Sequence, residues 1–140
     1  MAASSRGFIF PPVTITTALT GIVVGAAVTG FGAVKYLACQ AVFTYGSAGT
    51  TAKFWVQTSL DQGVTWIDIM SFAFTTATLS KVSAVTTTTA LAAAVTPASA
   101  TLADNTILSG LIGDQLRVLS TTTGTYAGGT TIAIGAVTKA

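Results

Sequence analysis

Few groups in this chain can do chemistry. Its 140 residues hold four carboxylates, Asp61, Asp68, Asp104 and Asp114, with no glutamate, no histidine and one cysteine, Cys39. A catalytic centre needs titratable groups within reach of one another. Without histidine there is no Ser-His-Asp triad and no His/Cys cluster for zinc. Asp61 and Asp68 would serve as a glycosidase pair only across a common cleft. They flank one hairpin arm and lack the surrounding acids and aromatics of a sugar site. The glycine-rich "GTYAGG" at 124–129 is not followed by Gly-Lys-Ser, so it does not read as a phosphate loop. These residues predict no catalytic site, no metal and no cofactor.

The densest pattern is "SLDQGVTW", residues 59–66. The Asp61 carboxylate can accept backbone N–H bonds across a turn. Gly63 can take a positive φ there. Trp66 leaves the turn at the head of the next strand and can pack beneath it. Ser59, Asp61, Gly63, Thr65 and Trp66 are therefore expected to build a structural turn. With these five at their spacing, the stretch resembles the Asp box of sialidase-like propellers, where the box lies away from the catalytic centre. A propeller itself is excluded by size: a blade takes roughly 40–50 residues and at least four are needed.

The elements around the turn read as strands. Thr, Val, Ile and aromatics recur in short runs broken by Gly, Pro, Asn and Asp, the all-β pattern. Strands are expected over 35–45, 52–60, 64–74, 78–89, 114–123 and 129–139, with loops at 46–51 and, mostly, 90–106. In 52–60 alternation puts Phe54, Val56 and Thr58 on one face and Lys53, Trp55 and Gln57 on the other. In 64–74 it puts Trp66, Asp68 and Met70 opposite Ile67, Ile69 and Ser71. The last two strands read as a hairpin with 124–129 at its tip. The expected fold is a single-domain antiparallel β-sandwich over 13–140, with a jelly roll as one arrangement of it. An extended N-terminal arm spans 1–12.

Composition bears on partners. Only 7% of residues are charged, against about 25% in a typical soluble domain. The six cations are scattered singly, so no direct nucleic-acid footprint forms. The lone Cys39 rules out an internal disulfide framework and is read as a small buried hydrophobe. The uncharged run 7–34 has the length of a spanning helix. Its four glycines within 18–34 and its β-branched residues argue for strands instead, so a membrane role is not expected. So uncharged a surface calls for protein partners. In "GFIFPP", 7–12, the prolines hold an extended chain without ladder donors. Phe8, Ile9 and Phe10 are expected to bury against a neighbouring subunit, so that a chain lacking 1–10 stays folded but attaches poorly. Trp55 is expected on a surface or in an interface, and Trp66 largely buried. A glycan-binding module, using Trp55, Tyr45 or Tyr126 as exposed platforms, is the alternative.

A wider resemblance covers about half the chain. "FWVQTSLDQGVTWIDIMSFAFTTAT" (54–78) and "LADNTILSGLIGDQLRVLSTTTGTYAGGTTIAIGAV" (102–137) are similar to small structural proteins of tailed-bacteriophage virions, encoded among the head and neck genes. The resemblance implies a non-enzymatic virion component, either a capsid decoration protein or a neck or tail subunit. It implies partners among other virion proteins, such as the major capsid protein. It also implies a closed homo-oligomer, a trimer by analogy with decoration proteins seated where three shell subunits meet.

Overall fold

Alternation of apolar and small polar residues decides the architecture. In Tyr36–Thr44 every second side chain, Leu37, Cys39, Ala41 and Phe43, is buried, while the residues between face outward. Such a strand buries one face and needs a second sheet opposite. The computed structural model describes residues 4–15 and 21–140, and over them the chain is all-β.

Two four-stranded sheets pack face to face. Sheet A runs in the order β1 (Ser4–Thr14), β10 (Thr131–Lys139), β3 (Tyr36–Thr44), β7 (Leu79–Thr86). Sheet B runs β2 (Val23–Val24), β8 (Gln115–Thr123), β5 (Thr51–Ser59), β6 (Ile67–Phe74). A small ribbon pairs β4 (Ser47–Ala48) with β9 (Tyr126–Ala127). Neighbours pair antiparallel throughout. Between sheets lie Phe10, Phe31, Phe43, Phe54, Phe72 and Phe74 with the aliphatic core around them. Phe43 stacks on Phe74 at 4.9 Å between ring centroids and meets the edge of Tyr126 at 5.7 Å.

Three expectations need correction. The stretches 114–123 and 129–139 do not form a hairpin: β8 pairs with β5, and β10 pairs with β3, in different sheets. The cause lies in the linker, where Tyr126 is buried and β9 pairs with β4, so the chain crosses the sandwich. The N-terminal stretch is extended, but over Ser4–Thr14 it pairs with β10 as the edge strand of sheet A. Its ladder shifts register between Phe10 and Val13, around Pro11-Pro12, which have no N–H to give. In β6, alternation breaks. Val56 pairs with Met70 but Gln57 pairs with Asp68, so Ile69 is an extra, bulged residue. The bulge turns Met70 and Phe72 into the core and leaves Asp68 on the outer face beside Gln57.

Residues 87–114 contain no helix and no strand. Part of this segment, 106–110, lies along the edges of β6 and β7. Leu108 N–H bonds the Ile69 carbonyl, Ser71 N–H bonds that of Thr106, and Gly110 N–H bonds that of Thr86. Among the described residues no helix is long and apolar enough to cross a membrane.

Candidate functional site

The β5–β6 turn is held by its own side chains. Ser59 Oγ donates to Asp61 Oδ1 at 3.0 Å and accepts Gly63 N–H at 2.7 Å. Asp61 Oδ1 accepts Thr65 N–H at 2.8 Å, and Thr65 Oγ1 donates to Asp61 Oδ2. Trp66 Nε1–H reaches back to the Gly63 carbonyl at 3.1 Å. Gln62 and Gly63 both carry positive φ, 59° and 88°. All five residues of the pattern thus meet in one loop. The bonds from Thr65 and Ser59 hold the Asp61 carboxyl below its ordinary pKa, although the loop lies at the surface. Gly113 backs the turn at very short range. A Cβ there would lie 2.0 Å from the Ser59 carbonyl oxygen, so only glycine lets the chain pass.

A second polar group lies on the outer face of sheet B. Arg117, Gln57 and Asp68 are consecutive cross-strand partners on β8, β5 and β6. Arg117 Nε–H donates to Gln57 Oε1 at 2.8 Å, and Gln57 Nε2 donates to Asp68 Oδ1 at 2.8 Å and to Ser99 Oγ at 2.9 Å. Asp68 also accepts three backbone N–H groups, from Ala100 at 3.2 Å, Thr101 at 2.8 Å and Leu102 at 3.1 Å. It is only 4% exposed. Its oxygens accept four bonds, which fills their capacity. Asp68 therefore pins segment 99–102 to the sheet and has no lone pair left for a substrate proton. The Arg117 guanidinium sits over the Trp66 ring at 4.2 Å, joining this row to the turn. Burial lowers the Arg117 pKa, and the Asp68 charge opposes that shift.

The remaining candidates are dispersed. Asp104 pairs with Lys53 at 3.2 Å on the surface. Asp61 and Asp68 face different neighbours and share no cleft. Trp66 is buried. Trp55, expected at a surface or interface, is 5% exposed. Segment 99–102 covers it, and its Nε1–H bonds the Leu102 carbonyl at 3.1 Å. Phe10, expected against another subunit, fills the chain's own core because β1 is a strand of sheet A. The side chains of Phe8 and Ile9 lie outside the described residues. Tyr126 is buried and donates to the Thr75 carbonyl at 2.8 Å, while Tyr45 is half-buried and packs edge-on against it at 6.1 Å. Cys39 is buried, which pushes its thiol up to about 12. Among the described residues no group of three His, Cys or Asp side chains could hold a metal ion.

The Arg117–Gln57–Asp68 row escaped the sequence reading. A signal was present: three polar residues inside strands of a chain with ten charges in all. Their alignment depends on strand pairing, which alternation does not reveal. No protein-family model, curated protein or solved structure matches this chain.

Proposed function

We propose that this chain is a non-enzymatic structural subunit of a bacteriophage virion, a capsid decoration protein that reinforces the shell by apolar contact. The observation that carries the reading is the strand order. Two four-stranded sheets, β1-β10-β3-β7 and β2-β8-β5-β6, are joined by connections that cross the sandwich, with only β5 to β6 staying in one sheet. We read this order as a jelly roll, an architecture common in viral capsid and lectin domains. This support is an analogy of fold, added to the sequence resemblance.

The placement of polar groups supports it too. Asp61 holds a turn and Asp68 holds a loop, so both have structural work. The glycan-binding alternative loses two of its three platforms, since Trp55 and Tyr126 are buried and Tyr45 is half-buried. Within the virion, a neck or tail subunit is the second position the resemblance allows. Burial of apolar area at roughly 25 cal/mol per Å² would supply the clamping energy. The partners are the major capsid protein and further copies of the chain, with a trimer as the assembly that the resemblance implies.

The test is direct. Particles assembled with and without the chain are compared by electron microscopy and by heating. The expected result is density on the shell and a higher disruption temperature with the chain present. Particles that carry no copy of it overturn the proposal, and density confined to the neck or tail overturns the decoration assignment.

A further inference from the structure

Segment 88–104 is fixed at both ends and at one point between them. At its start, Thr87 N–H bonds the Lys35 carbonyl at 2.9 Å, and Gly110 N–H bonds that of Thr86 at 2.8 Å. Past its end, Ser71 N–H bonds the Thr106 carbonyl at 3.0 Å, and Asn105 Oδ1 accepts Ala73 N–H. Among the described residues, 88–104 makes no backbone–backbone hydrogen bond, and 89–98 makes no hydrogen bond of any kind. None of the residues in 88–104 is buried. The one tie is at 99–102. There Asp68 accepts the Ala100, Thr101 and Leu102 N–H groups, Gln57 holds Ser99, and Trp55 Nε1–H holds the Leu102 carbonyl. The Lys53–Asp104 ion pair near the far end is exposed and adds little.

The tie is also imperfectly fitted. Ala100 holds φ at 58°, a left-handed conformation that persists in an alanine only while its surroundings impose it. A cleft of about 240 Å³ lies among Val95, Thr96, Ile67 and Asp68. Ser71 Oγ, opposite Trp55 in the ladder, is buried without a hydrogen-bond partner, a state that costs free energy and that water would relieve.

We propose that 88–104 is a lid. It lifts off the outer face of sheet B as one unit while both sheets stay folded, hinged at 87–88 and 104–105, and Asp68 is its latch. Parts of a protein open ahead of global unfolding where apolar burial is slight and hydrogen bonds are few, and 88–104 has both properties. Opening breaks bonds gathered at a single place. The Asp68 carboxylate and the N–H groups it releases pass into water, so none is left buried without a partner. Ala100 is freed from its left-handed conformation. Closed, the lid itself occupies this face and keeps Trp55, Gln57 and Asp68 buried. Open, it bares them. The lid does not rest on the virion reading, because it is a property of the single purified chain.

Native-state hydrogen exchange of the full, unaltered chain at rising urea concentration tests the lid. The Ala100, Thr101 and Leu102 amides are expected to exchange on the order of 100-fold faster than the amides of the β3–β10 ladder. They should also respond weakly to urea, because lifting a lid exposes little surface. Exchange in step with the ladder, at the same urea dependence, overturns the proposal: the segment would then open only with the whole fold. Exchange as fast as in an unstructured peptide overturns the latch. A second measurement follows Trp55 alone, in a chain carrying Trp66→Phe. Adding Asp68→Asn, which replaces one acceptor oxygen by a donor, should raise acrylamide quenching of Trp55 several-fold while circular dichroism shows the sheets intact. A folded Asp68→Asn chain in which Trp55 stays as shielded as before overturns the role of Asp68. Should that chain fail to fold, exchange in the unaltered chain still decides.

Discussion

Asp61 and Asp68 sit seven positions apart on either side of one turn, and the fold gives them opposite surroundings. Asp61 is at the surface and bonded within its own loop; Asp68 is buried and bonded to a segment more than thirty residues away. Their substitutions should differ accordingly. Asp68→Ala removes the acceptor for three backbone N–H groups and the Gln57 amide. It should cost about 3 kcal/mol, since buried donors are left without partners. Urea denaturation would give the loss, and segment 99–102 should become open to proteolysis. Asp61 acts through pH. Its folded pKa lies below the ordinary value, so its contribution is present above that value and is lost as pH falls through the folded pKa. The melting temperature of the unaltered chain should therefore fall more steeply below pH 4 than that of Asp61→Asn, an approximate threshold set by the usual aspartate range. Parallel curves for the two proteins would show that the turn bonds carry no net stability.

At the scale of elements, the sandwich closes one side with a loop. Segment 105–110 runs along the edges of both β6 and β7, bonding Ser71, Ile69 and Thr86. Asn105 Oδ1 accepts Ala73 N–H at 3.0 Å and the Lys81 ammonium at 3.0 Å. Such a cover blocks the strand addition that bare edges invite. Asn105 also holds φ at 58°, which asparagine tolerates better than alanine. Asn105→Ala should cost about 1–2 kcal/mol, and the Ala73 amide should exchange with solvent faster. An unchanged exchange rate at Ala73 would mean that the backbone bonds of the segment hold the edge without the side chain. The β6 bulge works at the same scale. One additional residue at Ile69 lets an apolar strand carry Asp68 outward and Met70 inward.

For the whole molecule, the N-terminal strand belongs to the folded unit. Phe10 lies in the core and β1 covers the edge of β10. Removing 1–10 should therefore destabilise the chain itself, and not only its attachment to a partner. Phe10→Ala alone should cost about 3–5 kcal/mol, the usual range for emptying a buried ring site. Thermal unfolding of the two variants checks this. A truncated chain that melts with the intact one would return 1–10 to the role of a detachable arm.

The sequence by itself determined what short-range physics controls. Short β-branched and aromatic runs broken by Gly, Pro, Asn and Asp placed β3, β5, β7, β8 and β10 to within a few residues, because such side chains fit a pleated, half-buried surface. The spacing of Ser59, Asp61, Gly63 and Thr65 was legible as a turn because its bonds span no more than four residues. Tertiary structure alone decided which strands are neighbours. The last two long strands read as a hairpin, yet β9 pairs with β4 and sends β10 to the other sheet. It also decided that Trp55 lies beneath 99–102, that Phe10 faces inward, and that Arg117, Gln57 and Asp68 form one row. These contacts join residues far apart in the chain. Their energy depends on which surfaces meet after the sheets pack, and no local pattern of side chains encodes that.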